Sequence, residues 1–370
     1  MAIKYKVGVG GHYTDWADAY NALCAIDPLN DDYEFEQISD VTVTVWPNIN
    51  LVVNQLDANG HTVRFYCSES NSHQGNPTKG YITYLSGANG KIDMRFANCA
   101  GLRPNAFLEN LYIRQITNND IGLITAQAWT FGDTSAINAY FVNMLIRGYI
   151  VTSGRGINCT HQDTMYRLRN CKIWNIKIGV YGTAGSYGGL VPADRAINSI
   201  IENVTVYNTN LQGINTGLAS TLTRGKTFSN CCSFNNALNA AWAHLNSPTK
   251  LICNNCADDD SSIDDNGGVA NNCLLGIDEN NDFESTDDTN PDFLSLKKGA
   301  LAVSADPTPD KGKAPLRVRF NSDIDYLWPA GMQLYNGGAV PSLSVNDIAG
   351  VQYGKYGDYP IGCHNAEVAY

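Results

Sequence analysis

One short phrase recurs through the middle of this 370-residue chain and restricts its fold more than any other feature. It is an apolar residue, one spacer, an Asn, and then apolar residues one and often three positions later. It reads Leu108-Glu109-Asn110-Leu111-Tyr112-Ile113, Phe141-Val142-Asn143-Met144-Leu145-Ile146, Leu168-Arg169-Asn170-Cys171-Lys172-Ile173 and Ile201-Glu202-Asn203-Val204-Thr205-Val206. Shorter copies follow at Phe228-Ser229-Asn230-Cys231, Cys253-Asn254-Asn255-Cys256 and Ala270-Asn271-Asn272-Cys273. The Asn residues are spaced 33, 27, 33, 27, 25 and 17 apart. A period in this range means a stacked repeat, in which each unit buries its apolar face only against its neighbours.

The chemistry of the phrase fits a corner. Asn tolerates the left-handed backbone conformation that a tight bend requires, and its side chain can satisfy nearby backbone groups. Asn amides placed at one corner of successive turns can also hydrogen-bond up and down as a ladder. The apolar residues at −2, +1 and +3 then point inward on the strands either side. A second register keeps step with the first: Gly122-Leu123, Gly156-Ile157, Gly179-Val180 and Gly213-Ile214 each begin 9 to 13 residues after a repeat Asn. We read this Gly as a further corner, followed by a further inward apolar residue.

Composition agrees with strands and turns. The chain is 44% hydrophobic and only 16% charged, which places it among globular rather than disordered proteins. Its net charge of −11 lacks the basic stripe of a nucleic-acid binder, so no nucleic-acid partner is expected. No stretch approaches the roughly 18–20 apolar residues of a membrane-crossing helix, so no membrane partner is expected either.

Four of the eleven cysteines, Cys171, Cys231, Cys256 and Cys273, stand directly after a repeat Asn. A position shared by register is more simply a stacked core slot than one half of a bonded pair, because a free thiol behaves as a small hydrophobe. Disulfide stapling of a particle that matures outside the cell is the alternative. Cys232 falls one step further along the strand and should point outward, as the better candidate for crosslinking.

Residues 1–40 read as an N-terminal cap. Thr14 or Asp15 can N-cap a short helix in which Trp16, Tyr20 and Leu23 share one face, with Asp27-Pro28 ending it. Such a helix covers the open end of a solenoid core. From Val41 the period becomes two, with Val41, Val43 and Val45 alternating with Thr42 and Thr44. Leu51–Val53 and Val63–Phe65 follow, separated by the turn signal Asn59-Gly60.

These residues resemble the right-handed parallel β-helix superfamily, which includes polysaccharide lyases, glycosidases and phage tailspikes. The resemblance covers residues 41–280, with six or seven clear coils. The tail adds to it: Thr289–Phe293, Ala302–Pro307 and Asp347-Ile348-Ala349-Gly350 are similar to the closing segments of that superfamily. Residues 281–370 carry no clean repeat and read as a closing cap with an irregular extension. The expected fold is therefore an all-β, right-handed parallel β-helix with a short helical cap.

Segments after the Gly register leave the solenoid on one side and are long and varied. They carry His161, Asp163, Tyr187, Asp194 and Arg195, which could supply a base, carboxylates, a stacking ring and a clamp for a sugar acid. No spacing among them demands catalysis, and a solvated loop face is the simpler reading. The acidic run Asp258-Asp259-Asp260 to Asp264-Asp265 has oxygen ligands and Gly turns suited to a hard cation but lacks EF-hand spacing, so a solvated loop is again favoured. Asp282, Glu284, Asp287 and Asp288 read the same way. The six His (12, 61, 73, 161, 244 and 364) show no zinc-like spacing. Gly8-Val9-Gly10-Gly11 lacks the strand-to-helix context of a dinucleotide site. Trp174 and Trp242 read as packing rather than sugar platforms. No catalytic residue, cofactor or metal site is assigned.

The resemblance implies two functions of different class. The first is a structural or adhesive protein of a phage particle, a capsid decoration or a tail-associated β-helix. It would be made in the host cytoplasm, since Met1–Gly8 has no signal-peptide character, and located in the virion. Its partners would be other virion proteins, copies of itself in a trimer, and host-surface polysaccharide. The second is a polysaccharide lyase or glycoside hydrolase acting on acidic or surface polysaccharide. A typical tailspike carries a longer particle-binding segment than the 40 residues that precede the strands here, which tilts the expectation toward decoration.

Overall fold

The computed structural model describes residues 2–26, 28–47, 56–97, 105–118, 122–128, 137–158, 164–181, 200–215, 227–229, 231–242, 252–254, 256–262, 269–271, 273–276, 278–295, 317–320 and 324–326. Its main body is a parallel β-solenoid with three stacks of strands. The first stack contains Ile3–Val7, Tyr33–Gln37, Thr62–Cys67, Asn105–Glu109 and Ile137–Val142. It continues through the front halves of Thr164–Ile176 and Ile200–Thr209, then Thr227–Ser229, Ile252–Asn254 and Val269–Asn271. The second stack contains Val41–Val45, Ile82–Asn89, Tyr112–Gln115, Leu145–Arg147, the rear halves of the two long strands, Cys232–Asn236 and Ala257–Asp258. Because those two strands bend over the corner unbroken, the two stacks form one 16-stranded sheet. The third stack is a 7-stranded sheet from Leu56–Asp57 to Asn239–Trp242. Apart from the short antiparallel pair Arg317–Phe320 and Ile324–Tyr326, every strand pairing among the described residues is parallel. The stacking begins at Ile3–Val7, well before the period-two run at Val41.

The Asn corner forms as its chemistry requires. Asn110, Asn143, Asn170 and Asn203 have φ of 57°, 52°, 54° and 52°. The amide of Asn143 donates to Asn110 Oδ1 at 3.0 Å, that of Asn170 to Asn143 Oδ1 at 3.0 Å, and that of Asn110 to the Cys67 carbonyl at 3.2 Å. All three apolar positions of the phrase point inward. The −2 residues Leu108, Phe141, Leu168 and Ile201 stack in register, as do the +3 residues Ile113, Ile146, Ile173 and Val206, and all eight are buried. The +1 slot holds Leu111, Met144, Cys171, Val204, Cys231, Cys256 and Cys273 in succession. Each buried aliphatic side chain in these columns contributes on the order of 1.5–3 kcal/mol.

The third stack corrects the reading of the glycines. Gly156, Gly179 and Gly213 lie within strands rather than at a corner, and none is among the positive-φ residues. Gly156 and Gly179 are required by close approach: a Cβ on Gly156 would lie 2.7 Å from Ile173 Cγ2, and one on Gly179 would lie 2.5 Å from Val206 Cγ1. Gly122 is out of step by one residue, since it pairs with Arg155 and leaves Leu123 in the glycine column. The inward column beside it is Ile92, Ile124, Ile157, Val180 and Ile214.

At the N-terminal end, helix α1 (Trp16–Cys24) covers the core. Asp15 is its N-cap, accepting from the backbone N–H groups of Ala17 at 2.8 Å and Asp18 at 3.0 Å. Trp16, Tyr20 and Leu23 are all buried. The Trp16 ring stacks on Phe65 at 4.8 Å, and its Nε1 starts a buried relay through Thr83 Oγ1 (2.9 Å) to Gln37 Oε1 (3.2 Å). Asn59 and Gly60 form a left-handed turn with φ of 47° and 82°.

Candidate functional site

The outer side of the second stack is closed by two excursions of the chain, and one group of chemistry-bearing side chains gathers beneath them. Along that side, register aligns Tyr112, Leu145, Lys172, Thr205, Cys232 and Ala257 in one column, and Arg114, Arg147, Trp174, Tyr207 and Phe234 in the next. Residues 278–295 lie across both columns, as a single helical turn Glu279–Asp282 followed by a tight loop. Phe283, Phe293 and Leu294 pack with Tyr112, Leu145, Trp174, Cys232 and Phe234 in a second apolar cluster outside the solenoid. Phe293 sits 5.0 Å from the Trp174 ring, and Phe283 meets Phe234 edge-on at 5.3 Å.

This packing corrects the expectation for Cys232. Strand parity does turn it outward, but it is fully buried beneath 278–295 and is not placed for crosslinking. Among the other cysteines of the described residues, Cys171, Cys231 and Cys256 are buried in the +1 slot, and Cys273 is partly exposed. Three of these thiols make a recurring bond across coils. Cys171 Sγ donates to the Phe141 carbonyl at 3.5 Å, Cys231 Sγ to that of Ile201 at 3.7 Å and Cys273 Sγ to that of Cys253 at 3.4 Å. Each acceptor is the −2 residue of the preceding coil, which explains why a thiol serves there as well as a methyl group.

Lys172 is the least expected member of the flank. Its side chain is completely buried, and Nζ donates to the carbonyls of Phe293 at 2.6 Å and Gly75 at 3.1 Å. The amine therefore ties together the 278–295 segment and the second excursion, around residues 68–80. In that loop Gly75 N–H donates to His73 Nδ1 at 2.9 Å, so Nε2 carries the proton and donates to the Asn143 carbonyl at 2.9 Å. Burial pushes the His73 pKa down to about 3; the Lys172 charge adds to this and the bond to Asn143 opposes it. Asp288 latches the far end: it pairs with Arg147 Nε at 2.7 Å and accepts from Trp174 Nε1 at 2.8 Å. Burial raises the Tyr112 hydroxyl to about 12, against the pull of Arg147 and Arg114.

The outer side of the first stack carries a different ladder. Lys4, Glu34, Arg64, Phe107, Tyr140 and Arg167 follow one another in register. Glu34 pairs with Lys4 at 3.2 Å and Arg64 at 3.6 Å, while Arg64 also bonds Glu109 and lies 4.1 Å over the Tyr66 ring. Burial raises the Glu109 pKa, with Arg64 pulling it back. Phe107 and Tyr140 stack at 4.3 Å, and burial lowers the Arg167 pKa to about 9.

The residues singled out in the sequence fare unevenly. His161, Asp163, Tyr187, Asp194 and Arg195 lie outside the described residues, as do Leu51–Val53, Asp264, Asp265, His244, His364 and the closing segments 302–307 and 347–353. Of the acidic run, Asp258 is fully buried and holds a turn, its Oδ1 accepting from Ser261 N–H at 3.1 Å and Gly276 N–H at 3.0 Å. Asp260 accepts from Ser262 N–H at 2.9 Å, and Asp259 from Asn235 N–H. Asp287 is held below the usual carboxylate range by bonds from the N–H and hydroxyl of Thr289. Among the described residues no group of three or more His, Cys, Asp or Glu is arranged to hold a metal ion. Gly8 and Gly10 turn the chain back against its own strand, where Gly8 N–H donates to the Tyr13 carbonyl, and they open no helix. Trp174 is a packing residue beneath Phe293; the Trp242 side chain lies outside the described residues.

Sequence reasoning missed the role of Lys172 and a second Asn corner. Asn175, Asn208 and Asn235 also have positive φ, and the amide of Asn208 donates to Asn175 Oδ1 at 3.2 Å. A signal was present: Asn170/Asn175, Asn203/Asn208 and Asn230/Asn235 share a spacing of five. Comparison with known protein-family models, curated proteins and solved structures finds no match to this chain.

Proposed function

We propose that this protein is a structural, adhesive component of a phage-type virus particle, its solenoid serving as a rigid rod that contacts other particle proteins, copies of itself and host-surface glycans. The observation that supports this most is the closed flank. Side chains that would equip an acidic or aromatic site (Asp258, Asp288, Trp174, His73 and Lys172) are engaged in holding turns and excursions against the rod. That is the chemistry of a body built to keep its shape. A right-handed coil follows from the handedness of parallel crossovers and goes with this reading.

Mass spectrometry of purified particles from an infected host tests the proposal, and absence of the chain from the particle would reject it. Release of unsaturated or reducing ends from a panel of host polysaccharides would instead favour a lyase or glycoside hydrolase. Glycan-array binding without cleavage would support the adhesive role.

A further inference from the structure

Three thiols meet at the last described coils. Cys253 occupies the −2 position of one coil and Cys256 its +1 slot; Cys273 occupies the +1 slot of the coil above, in register through the bridge between Ala257 and Leu274. The Cys273 thiol is directed down at this corner. Its Sγ accepts from Cys256 N–H at 3.4 Å and donates to the Cys253 carbonyl at 3.4 Å. The thiols of Cys253 and Cys273 both interact with that of Cys256 closely enough to be held protonated by it. Residues facing one another on adjacent strands have Cα atoms about 4.8 Å apart, inside the range a disulfide can bridge. Cys231 stacks below Cys256 but directs its thiol away, to the Ile201 carbonyl of the preceding coil. Cys253, Cys256 and Cys231 are buried, whereas Cys273 is partly exposed and so is the entry point for a reagent.

We infer that Cys256 and Cys273 are a latent disulfide that staples the last coil to the one below it when the protein meets a small-molecule disulfide oxidant. The sulfur of Cys273, its proton lost to solvent, attacks one sulfur of the oxidant. The oxidant's S–S bond breaks and one small thiolate leaves, taking up a proton. The Cys256 sulfur then attacks the Cys273 sulfur of the mixed disulfide and gives up its proton. The second small thiol departs, and the Cys256–Cys273 bond is formed. Two protein thiols are oxidised and one reagent disulfide is reduced to two thiols.

The staple closes a span of 17 residues. It also fixes the root of the flank, because Leu274 belongs to the apolar cluster beneath 278–295. The neighbouring Cys256 thiol, and then burial, hold Cys273 protonated at neutral pH, so closure is slow and accelerates with pH as the thiolate fraction grows. This is the behaviour of a maturation step rather than a rapid switch.

The test uses the full chain, purified under reducing conditions, freed of reductant and incubated with oxidised glutathione at pH 7 and 8.5. Peptide mapping without reduction follows the products. A Cys256–Cys273 linked peptide is expected, forming more than tenfold faster at the higher pH. It should be absent from C273S, unaffected in C232S and accompanied by greater protease resistance of residues 278–295. A glutathione adduct that persists on Cys273, a link between Cys253 and Cys256 or between Cys231 and Cys256, or thiols that all stay reduced would each overturn the assignment. The wild-type map decides the matter even if C273S does not fold.

Discussion

The side-chain amine of Lys172 donates to the carbonyl of Phe293, 121 residues further along the chain, at 2.6 Å. The same amine reaches Gly75 O, so one buried cation anchors both excursions that close the flank. Replacing it with Met keeps the stem and removes the donors. The two carbonyls then lose a charged partner, at roughly 1–3 kcal/mol, partly offset because no charge is left to desolvate. We expect K172M to fold with a lower urea midpoint. Hydrogen exchange should quicken at the amides of Glu284 and Leu294, which bond within the flank. Unchanged protection at both amides would show that Lys172 does not hold the segment down.

His73 gives the fold an acid limit. Its pKa is about 3 in the folded protein against an ordinary value of 6.5. The unfolded chain therefore binds more protons between those values, and the contribution of His73 is complete above pH 6.5 and lost as pH falls toward 3. At pH 5 the loss is about 2 kcal/mol, from 1.36 kcal/mol per pH unit. Denaturation midpoints measured from pH 7.5 to 4.5 should fall for the native chain and fall less for H73Q. Parallel curves for the two would remove His73 as the cause.

Asp288 does two jobs that substitution separates. D288N keeps an acceptor for Trp174 Nε1 and loses only the pair with Arg147, whose side chains are 24% and 18% exposed. A pair of that exposure contributes about 0.5–1 kcal/mol, less in high salt. D288A also strands the buried Trp174 N–H, at roughly 1–3 kcal/mol more. Stability should rank native, D288N, D288A, with salt narrowing only the first gap. A salt-independent first gap would mean that the charge contributes nothing.

The repeat phrase made the solenoid legible because its period and its parity both act over a few residues: Asn143 bends the chain, and Phe141, Met144 and Ile146 fall inward as a direct result. The glycines were misread for a physical reason. A left-handed turn and a close backbone approach both demand the absence of Cβ, and only the neighbours of Gly156 and Gly179, Ile173 and Val206, tell them apart. Cys232 shows the limit of parity, which sets a side chain's direction and says nothing of what lies over it. The flank was illegible because residues 278–295 carry no repeat and seat themselves on strands as much as 141 positions earlier, through contacts such as Asp288 with Arg147.

The Asn ladder allows its backbone and side-chain parts to be measured apart. Asn143 has φ of 52° and makes two ladder bonds, donating to Asn110 and accepting from Asn170. N143A should lose both bonds and also hold Ala in the left-handed region, which alone costs about 1–2 kcal/mol. N143G relieves the backbone and loses only the bonds, about 1 kcal/mol each. Asn203 is the internal control. It has the same φ of 52°, but among the described residues neither of its buried amide atoms has a hydrogen-bond partner. N203G should therefore be close to neutral, or even stabilising, because it removes a buried polar group that nothing satisfies. Chemical denaturation of the three variants tests the ladder directly: a cost for N203G as large as that for N143G would place the value of the Asn corner in its backbone alone.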